Sequence, residues 1–296
     1  MNNRFARLAK PYLIWLYVLA VLPALVMALL VFTDMEGLDL QNMSITLANF
    51  AQLAEVSTLV AFKNSFVLSL ITTLISIVLG YLVAYKLFRS NFKNKFLILV
   101  ILILPMWSNI LLRTEALSNL FSASNIVTTL LDKIRIMFGA DPEHVASNPV
   151  TFLDVRGSDN EFAAYFAVVF GLVVTYVPFM IMPIYNSLEK IDRSVEEAAL
   201  DLGLTDMQKF WKVIVPMSSK GIITGSIMVF LPSLSGFAIP KILGGGRIVM
   251  IGNVIEELFN NMNYNVGSLL AMIILFVILI SITIVNKVDK EGEMLL

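Results

Sequence analysis

The chain has 296 residues, 58% of them hydrophobic and only 15% charged, with a formal net charge of −1. That balance lies outside the soluble range and marks one integral membrane domain, 1–296. The absence of cysteine and the single histidine, His144, exclude disulfide frameworks, thiolate metal sites and cysteine nucleophiles, and leave almost no scope for a histidine-rich metal site.

A short basic segment with Arg4, Arg7 and Lys10 opens the chain, and residues 11–33 then run without charge. That run is about one bilayer crossing of ~20 residues and exceeds the roughly 7–15 residues of a signal-peptide core, so it reads as a retained helix. Further uncharged runs cover 64–85, 96–112, 162–184, 221–240 and 266–286. The expected fold is therefore all-α and integral to the membrane, with six transmembrane helices. Between the spans, residues 34–62, 113–161 and 241–265 read as loops, the second with Asn-Pro and Arg-Gly-Ser punctuation around Pro149 and Gly157. Gly244–Gly246 reads as a turn. Breaks are expected inside spans at Pro105, Pro178, Pro232 and Gly236, where freed backbone groups need protein or a water-filled cavity.

Six crossings put both termini on one side. Most of the lysines and arginines fall in the N-tail, in 86–95, in the segment before the fifth span and in the C-tail, which places both tails and that segment in the cytoplasm. The cytoplasmic segment, residues 189–216, carries the densest local punctuation in the chain. Ser194 and Glu197 fit a capping box that starts a helix at Val195, and Gly203 fits its left-handed end. Thr205 and Gln208 fit a second box, with Pro216 as the stop. On this second helix Met207, Phe210, Trp211 and Ile214 form one apolar stripe. Ala198 and Ala199 allow a partner surface to approach closely, and the neighbouring carboxylate suits a partner arginine.

Catalytic patterns are absent: no G-x-x-x-x-G-K-[ST], no H-E-x-x-H and no G-x-S-x-G occurs. Candidate pathway groups are few. Trp107, in Pro105-Met-Trp-Ser-Asn109, fits either an interfacial aromatic belt or a pore wall that stacks on a cation. Glu115 and Arg113 lie just past the third span and fit a mutual pair or solvent exposure better than substrate binding. No acidic residue lies within the six spans.

The elbow residues Glu197-Ala-Ala199, Gly203 and Val213-Ile-Val-Pro216 resemble the EAA loop of the permease subunits of type I ABC importers, with valine at the two apolar positions of the usual Ile-x-Leu-Pro ending. Tyr176–Tyr185, Ser187–Asp192, Leu104–Asn109 with Arg113, Arg135–Phe138, Leu243-Gly-Gly and Ile251–Ile255 resemble the first permease subunit of spermidine/putrescine importers. Residues 139–160 look like an insertion, and Glu115 stands where an aromatic is usual.

The resemblance implies a non-catalytic subunit of the bacterial cytoplasmic membrane that forms half of a polyamine pathway. Its implied partners are a second homologous permease, two ATPase subunits that bind ATP and Mg, and an extracytoplasmic polyamine-binding protein. It also implies no cofactor or metal in this chain, and ATPase coupling through Glu197, Ala198, Ala199, Asp201, Leu202 and Gly203. Trp107, Asn109, Tyr176 and Glu115 become the expected pathway residues. The rival readings are a permease for another small solute, such as iron or an oxyanion, and a non-transport membrane scaffold.

Overall fold

The computed structural model describes residues 3–34, 43–122, 126–147, 155 and 161–288. Pro149, Gly157, most of 139–160 and the C-terminal residues from 289 lie outside the described residues. The chain divides into two units, Met1–Ala61 with Val254–Ile280, and Phe62–Asn253 with Ser281–Leu296.

In the first unit, α1 (Asn3–Val31) leads into β1 (Thr33–Asp34), which pairs antiparallel with β2 (Ser44–Ile45) in the register Thr33–Ile45 and Asp34–Ser44. A 3-10 turn (Ala48–Ala54) follows. Asn49 Nδ2 closes the corner by donating to Val31 O and Thr33 O at 2.8 and 2.9 Å. Tyr12, Trp15, Leu22 and Leu29 of α1 are all more than half exposed, as befits a helix whose solvent is lipid.

The second unit contains most of α2 (Val56–Arg89), then α3 (Lys95–Ile103), α4 (Ile110–Ser118), α5 (Ile126–Met137) and α6 (Pro142–Ser147). After these come α7 (Glu161–Glu189), α8 (Arg193–Asp201), α9 (Asp206–Lys209), α10 (Val215–Met217), α11 (Ser219–Ser235) and α12 (Ala238–Leu243). Helices α13 (Ile251–Asn260) and α14 (Tyr264–Val288) cross between the two units.

Four helices among the described residues are long and apolar enough to cross a membrane, or six if each of two bent pairs counts as one span. The third expected span is one such pair. A 3-10 turn at Leu104–Trp107, with Pro105 near its start, separates α3 from α4, and the chain bends there by 88°. Gly236 is the second true break, taking an extended φ of −67° and ψ of 140° at the end of α11. The breaks expected at Pro178 and Pro232 do not form: both prolines lie inside continuous helices. At Pro178 packing outweighs the lost backbone bond, because this proline and most of its neighbours on α7 are buried.

The loop readings also need correction. Residues 113–161 contain most of α4 together with α5 and α6, residues 241–265 contain α13, and α2 begins at Val56. A search for uncharged runs finds lipid-facing helices and passes over those that carry charge on one side.

The core of this unit is α7 against α11. Missing side chains set how near the helices come. A Cβ on Gly221 would stand 2.4 Å from Pro183 O and 2.6 Å from Ser187 Oγ, and one on Gly225 would stand 2.6 Å from Met180 Sδ. The order of these pairs makes the two helices antiparallel. Gly80 of α2 receives the same Met180 side chain, which is fully buried between the two glycines. This is the small-residue packing that membrane helices use when no hydrophobic gradient drives them together. Gly221→Ala is expected to cost about 1–3 kcal/mol of unit stability, because backbone, not a movable side chain, stands in the way. Thermal unfolding of the purified protein in detergent checks this, and an unchanged midpoint would contradict it.

Candidate functional site: an elbow tied to a transmembrane helix

The elbow begins two residues earlier than the Ser194–Glu197 box suggests. Asp192 is the N-cap, with φ −68° and ψ 140°, and its carboxylate accepts the Ser194 N–H at 2.9 Å. Ser194 is thereby drawn into the first turn, and Glu197 lies too far along the helix to close a box. Hydrogen bonds from the Ser194 backbone and hydroxyl hold the Asp192 carboxyl below the ordinary aspartate range. A lowered folded value means that the cap's contribution is fully present above the ordinary aspartate pKa and is lost as pH falls through the lowered one. Amide protection factors at 193–196, taken relative to the intrinsic exchange rate at each pH, are therefore expected to fall on acidification in the native protein. They should stay constant over the same interval in Asp192→Asn, whose amide oxygen still caps; an equal fall in both would contradict the assignment.

Helix α8 ends as its sequence suggests. Gly203 has φ +82°, its N–H reaches Leu200 O at 2.9 Å, and the Leu204 N–H reaches Ala199 O at 3.2 Å. This is a complete Schellman motif. The second capping box is also present, with Thr205 Oγ1 accepting from Gln208 N and Gln208 Oε1 accepting from Thr205 N. Pro216, however, does not stop the helix. Residues Phe210–Ile214 widen into a π turn, Pro216 sits within α10, and the chain bends by 63° into α11. A proline ring clashes with the carbonyl four residues back, and the wider turn relieves that clash.

The widened turn also splits the expected apolar stripe. Ile214 is fully buried and Phe210 half-buried, whereas Met207 and Trp211 are 67% and 61% exposed. Phe210 packs edge-on against Tyr81 and Tyr85 of α2, at centroid distances of 5.6 and 4.9 Å. Tyr81 Oη and Ser218 Oγ share a hydrogen bond of 2.8 Å at the bend itself.

Charge makes a second tie to α2. Glu196, 7% exposed, pairs with Arg89 at the end of α2, and Lys209 Nζ stands 3.6 Å from the same Glu196 oxygen. Lys209 is only 3% exposed and also bonds Asp206 Oδ1 at 3.0 Å. That bond and the lysine charge lower the Asp206 pKa. Arg89, Glu196, Lys209, Tyr81 and Ser218 were not among the expected site residues. Arg89 and Glu196 are 107 positions apart, so no local spacing announces their contact.

Of the expected coupling residues, Ala199 is buried at the root of the elbow, while Glu197, Ala198, Asp201, Leu202 and Gly203 are exposed. Leu202 is 83% exposed and adds to the outward apolar surface of Met207 and Trp211.

The expected pathway residues separate into two sets. Asn109 and Tyr176 line one cavity of about 460 Å³ together with Leu172, Ser235 and Gly236. Asn109 also caps α4 by accepting the Leu111 N–H, and Tyr176 Oη donates to Pro232 O at 3.4 Å. The α11 break therefore forms part of the cavity wall. Trp107, 88% exposed, and Glu115, also exposed, do not line it. A larger cleft of about 980 Å³ runs beside α7 and α11, lined by Met106, Met182 and Met228 with Lys190, Lys220 and Thr224. Among the described residues no cluster of His, Asp or Glu could hold a metal ion.

Residues 1–288 match the family model described as the binding-protein-dependent transport system inner membrane component. The chain is 30% identical over 270 residues to the spermidine/putrescine transport system permease protein PotB of Haemophilus influenzae, covering 90% of this chain and 88% of that one. It is 32% identical over 247 residues to PotB of Escherichia coli K12, covering 83% of each. Among solved structures it resembles a chain of a bacterial ABC transporter involved in the import of the acidic polysaccharide alginate. The TM-score there is 0.70 at 15% identity, over 98% of this chain and 96% of the other. It also resembles a chain of a bacterial alginate ABC transporter in complex with alginate pentasaccharide-bound periplasmic protein, at a TM-score of 0.68, 16% identity, and coverage of 96% and 93%. The chain belongs to the family of inner-membrane components of binding-protein-dependent transport systems.

Proposed function

We propose that this chain is one permease subunit of an ATP-driven importer and forms half of a pathway for spermidine and putrescine. A second, related permease forms the other half, two ATPase subunits bind below, and an extracytoplasmic binding protein delivers the polyamine above. The observation that carries the substrate is identity of 30% or more across at least four-fifths of the chain to permeases named for spermidine and putrescine. The elbow supports the energy-coupling part. A rigid two-helix unit that presents Glu197, Leu202, Met207 and Trp211 outward, and is bolted to α2 on its inner side, can transmit a push.

Both tails and the elbow face the cytoplasm in this scheme, following the bias of basic residues. ATP and Mg are bound by the ATPase subunits, and this chain supplies no catalytic group. Closure of the ATPases moves the elbow, and α2, α7 and α11 follow because they are joined to it. In the pathway, Tyr176 and Asn109 offer an aromatic face and neutral oxygens at the α11 break, while the second permease supplies carboxylates for the dication. Co-expression with candidate partners tests the scheme. The chain should co-purify with an ATPase whose hydrolysis rises when polyamine-loaded binding protein is added. A chain that purifies alone from all such cells would contradict it.

A further inference from the structure

Helix α5 (Ile126–Met137) is amphipathic in the reverse sense. Among its described side chains, the buried and half-buried ones are Thr128, Asp132 and Arg135, spaced i, i+4 and i+7, so the polar side faces the protein. Thr128 is 2% exposed, and Arg135 Nη1 pairs with Asp132 Oδ1 at 3.3 Å on that same face. The outward side carries Leu130, Ile134, Met137 and Phe138, at i, i+4, i+7 and i+8, which are 54%, 47%, 79% and 82% exposed. In water this orientation would be upside down, since four large apolar side chains face out while hydroxyl and charge are turned in.

We propose that α5 lies in the plane of the membrane surface, with its apolar stripe in the headgroup and acyl boundary of the bilayer. Three observations choose lipid over a protein partner. The chain is an inner-membrane component, so a bilayer already borders it. Helix α5 follows the bent third span after a short connection, and the loop it belongs to returns to the start of α7, so both neighbours in the chain are membrane helices. Exposed Lys133 stands at the edge of the stripe, where its long stem can lie along acyl chains and its head reach anionic phosphate. The elbow leaves the C-terminal end of α7 and α5 precedes its N-terminal end, so this contact is on the membrane face opposite the elbow. It would anchor the connection between the third and fourth spans, leaving that connection less free to follow α7 when the elbow moves.

The natural absence of cysteine makes the test clean. Met137→Cys and Phe138→Cys place a thiol on the stripe, and Thr129→Cys, also exposed, places one off it. Each is labelled with a nitrobenzoxadiazole fluorophore in the full complex assembled with cysteine-free partner subunits. The complex is then reconstituted into nanodiscs of phosphatidylethanolamine and phosphatidylglycerol doped with lipid spin-labelled high on the acyl chain. At an insertion depth of ~5–10 Å, labels at 137 and 138 should lose roughly half of their fluorescence to the spin-labelled lipid, and the label at 129 almost none. Equal, weak quenching at all three positions would overturn the proposal. So would shielding at 137 and 138 that appears only when a soluble binding protein is added, since the occupant would then be protein.

Discussion

Gly203→Asp is expected to abolish uptake while leaving the chain inserted in the membrane. No atom lies within 4 Å of a Cβ built on Gly203, so steric crowding contributes nothing. The φ of +82° is the whole constraint. Most side chains cost about 1–2 kcal/mol in that region, aspartate and asparagine less, and aspartate adds a negative charge beside Asp201 at the negative end of the α8 dipole. Both effects fall on the joint that sets the angle between α8 and α9. A loss of ~1.4 kcal/mol lowers the ratio of correct to misformed elbow tenfold, and in the proposed scheme the contact with the ATPase depends on that one geometry. Gly203→Asn separates the terms. Asparagine tolerates the left-handed region and carries no charge, so it should retain a substantial part of uptake. Full uptake by Gly203→Asp, at matched amounts of membrane protein, would show that the elbow angle is not what transmits the stroke.

Glu196→Ala should be the second severe change, and for a different reason. It leaves Lys209, 3% exposed, with only the outward-facing Asp206 as partner, and it frees Arg89 from the elbow. Breaking a buried pair costs ~3–5 kcal/mol when the remaining charge has nothing else. Here Asp206 remains and Arg89 is about half exposed, so a loss of ~2–3 kcal/mol is expected after solvent screening. The elbow should then loosen from α2, which limited proteolysis within 189–216 would register as faster cleavage. Adding Lys209→Met removes the stranded charge and should recover most of the protection, because an apolar side chain of similar length fits the same buried space. If the double variant is cleaved as fast as Glu196→Ala alone, the buried lysine is not the source of the effect.

Legibility from sequence followed the range of the interaction that decides each feature. Gly203 and the Thr205–Gln208 box are settled within a few residues, and both are visible in the one-dimensional pattern. The Asp192 cap was missed because Ser194 offered an equally good pattern two positions later; the choice between them depends on ψ at Asp192, which is extended. The π turn was hidden for a related reason. A stripe at i, i+3, i+4 and i+7 assumes a uniform period, and Pro216 changes that period just before it would have stopped an ordinary helix.

Long-range ties left no local trace. Glu196 stands beside the expected Glu197, and nothing in their spacing says which is turned inward; Arg89, far away in the chain, decides it. The pathway residues divide on the same principle. Tyr176 and Asn109 meet at one cavity because α11 breaks at Gly236, whereas Trp107, attractive by chemistry alone, is exposed and does not line it. The loops were the weakest reading, since α5, α6 and α13 carry charges that remove them from a search for uncharged runs.

Uptake of labelled spermidine and putrescine tests the central claim most directly, in cells that express the partner subunits but lack this chain. Restoring the natural sequence should return uptake of at least one of the two polyamines, and restoring Gly203→Asp at equal membrane abundance should not. Cells that take up neither polyamine with the natural chain present would contradict the polyamine assignment. Cells that take up both without it would contradict its place in the pathway.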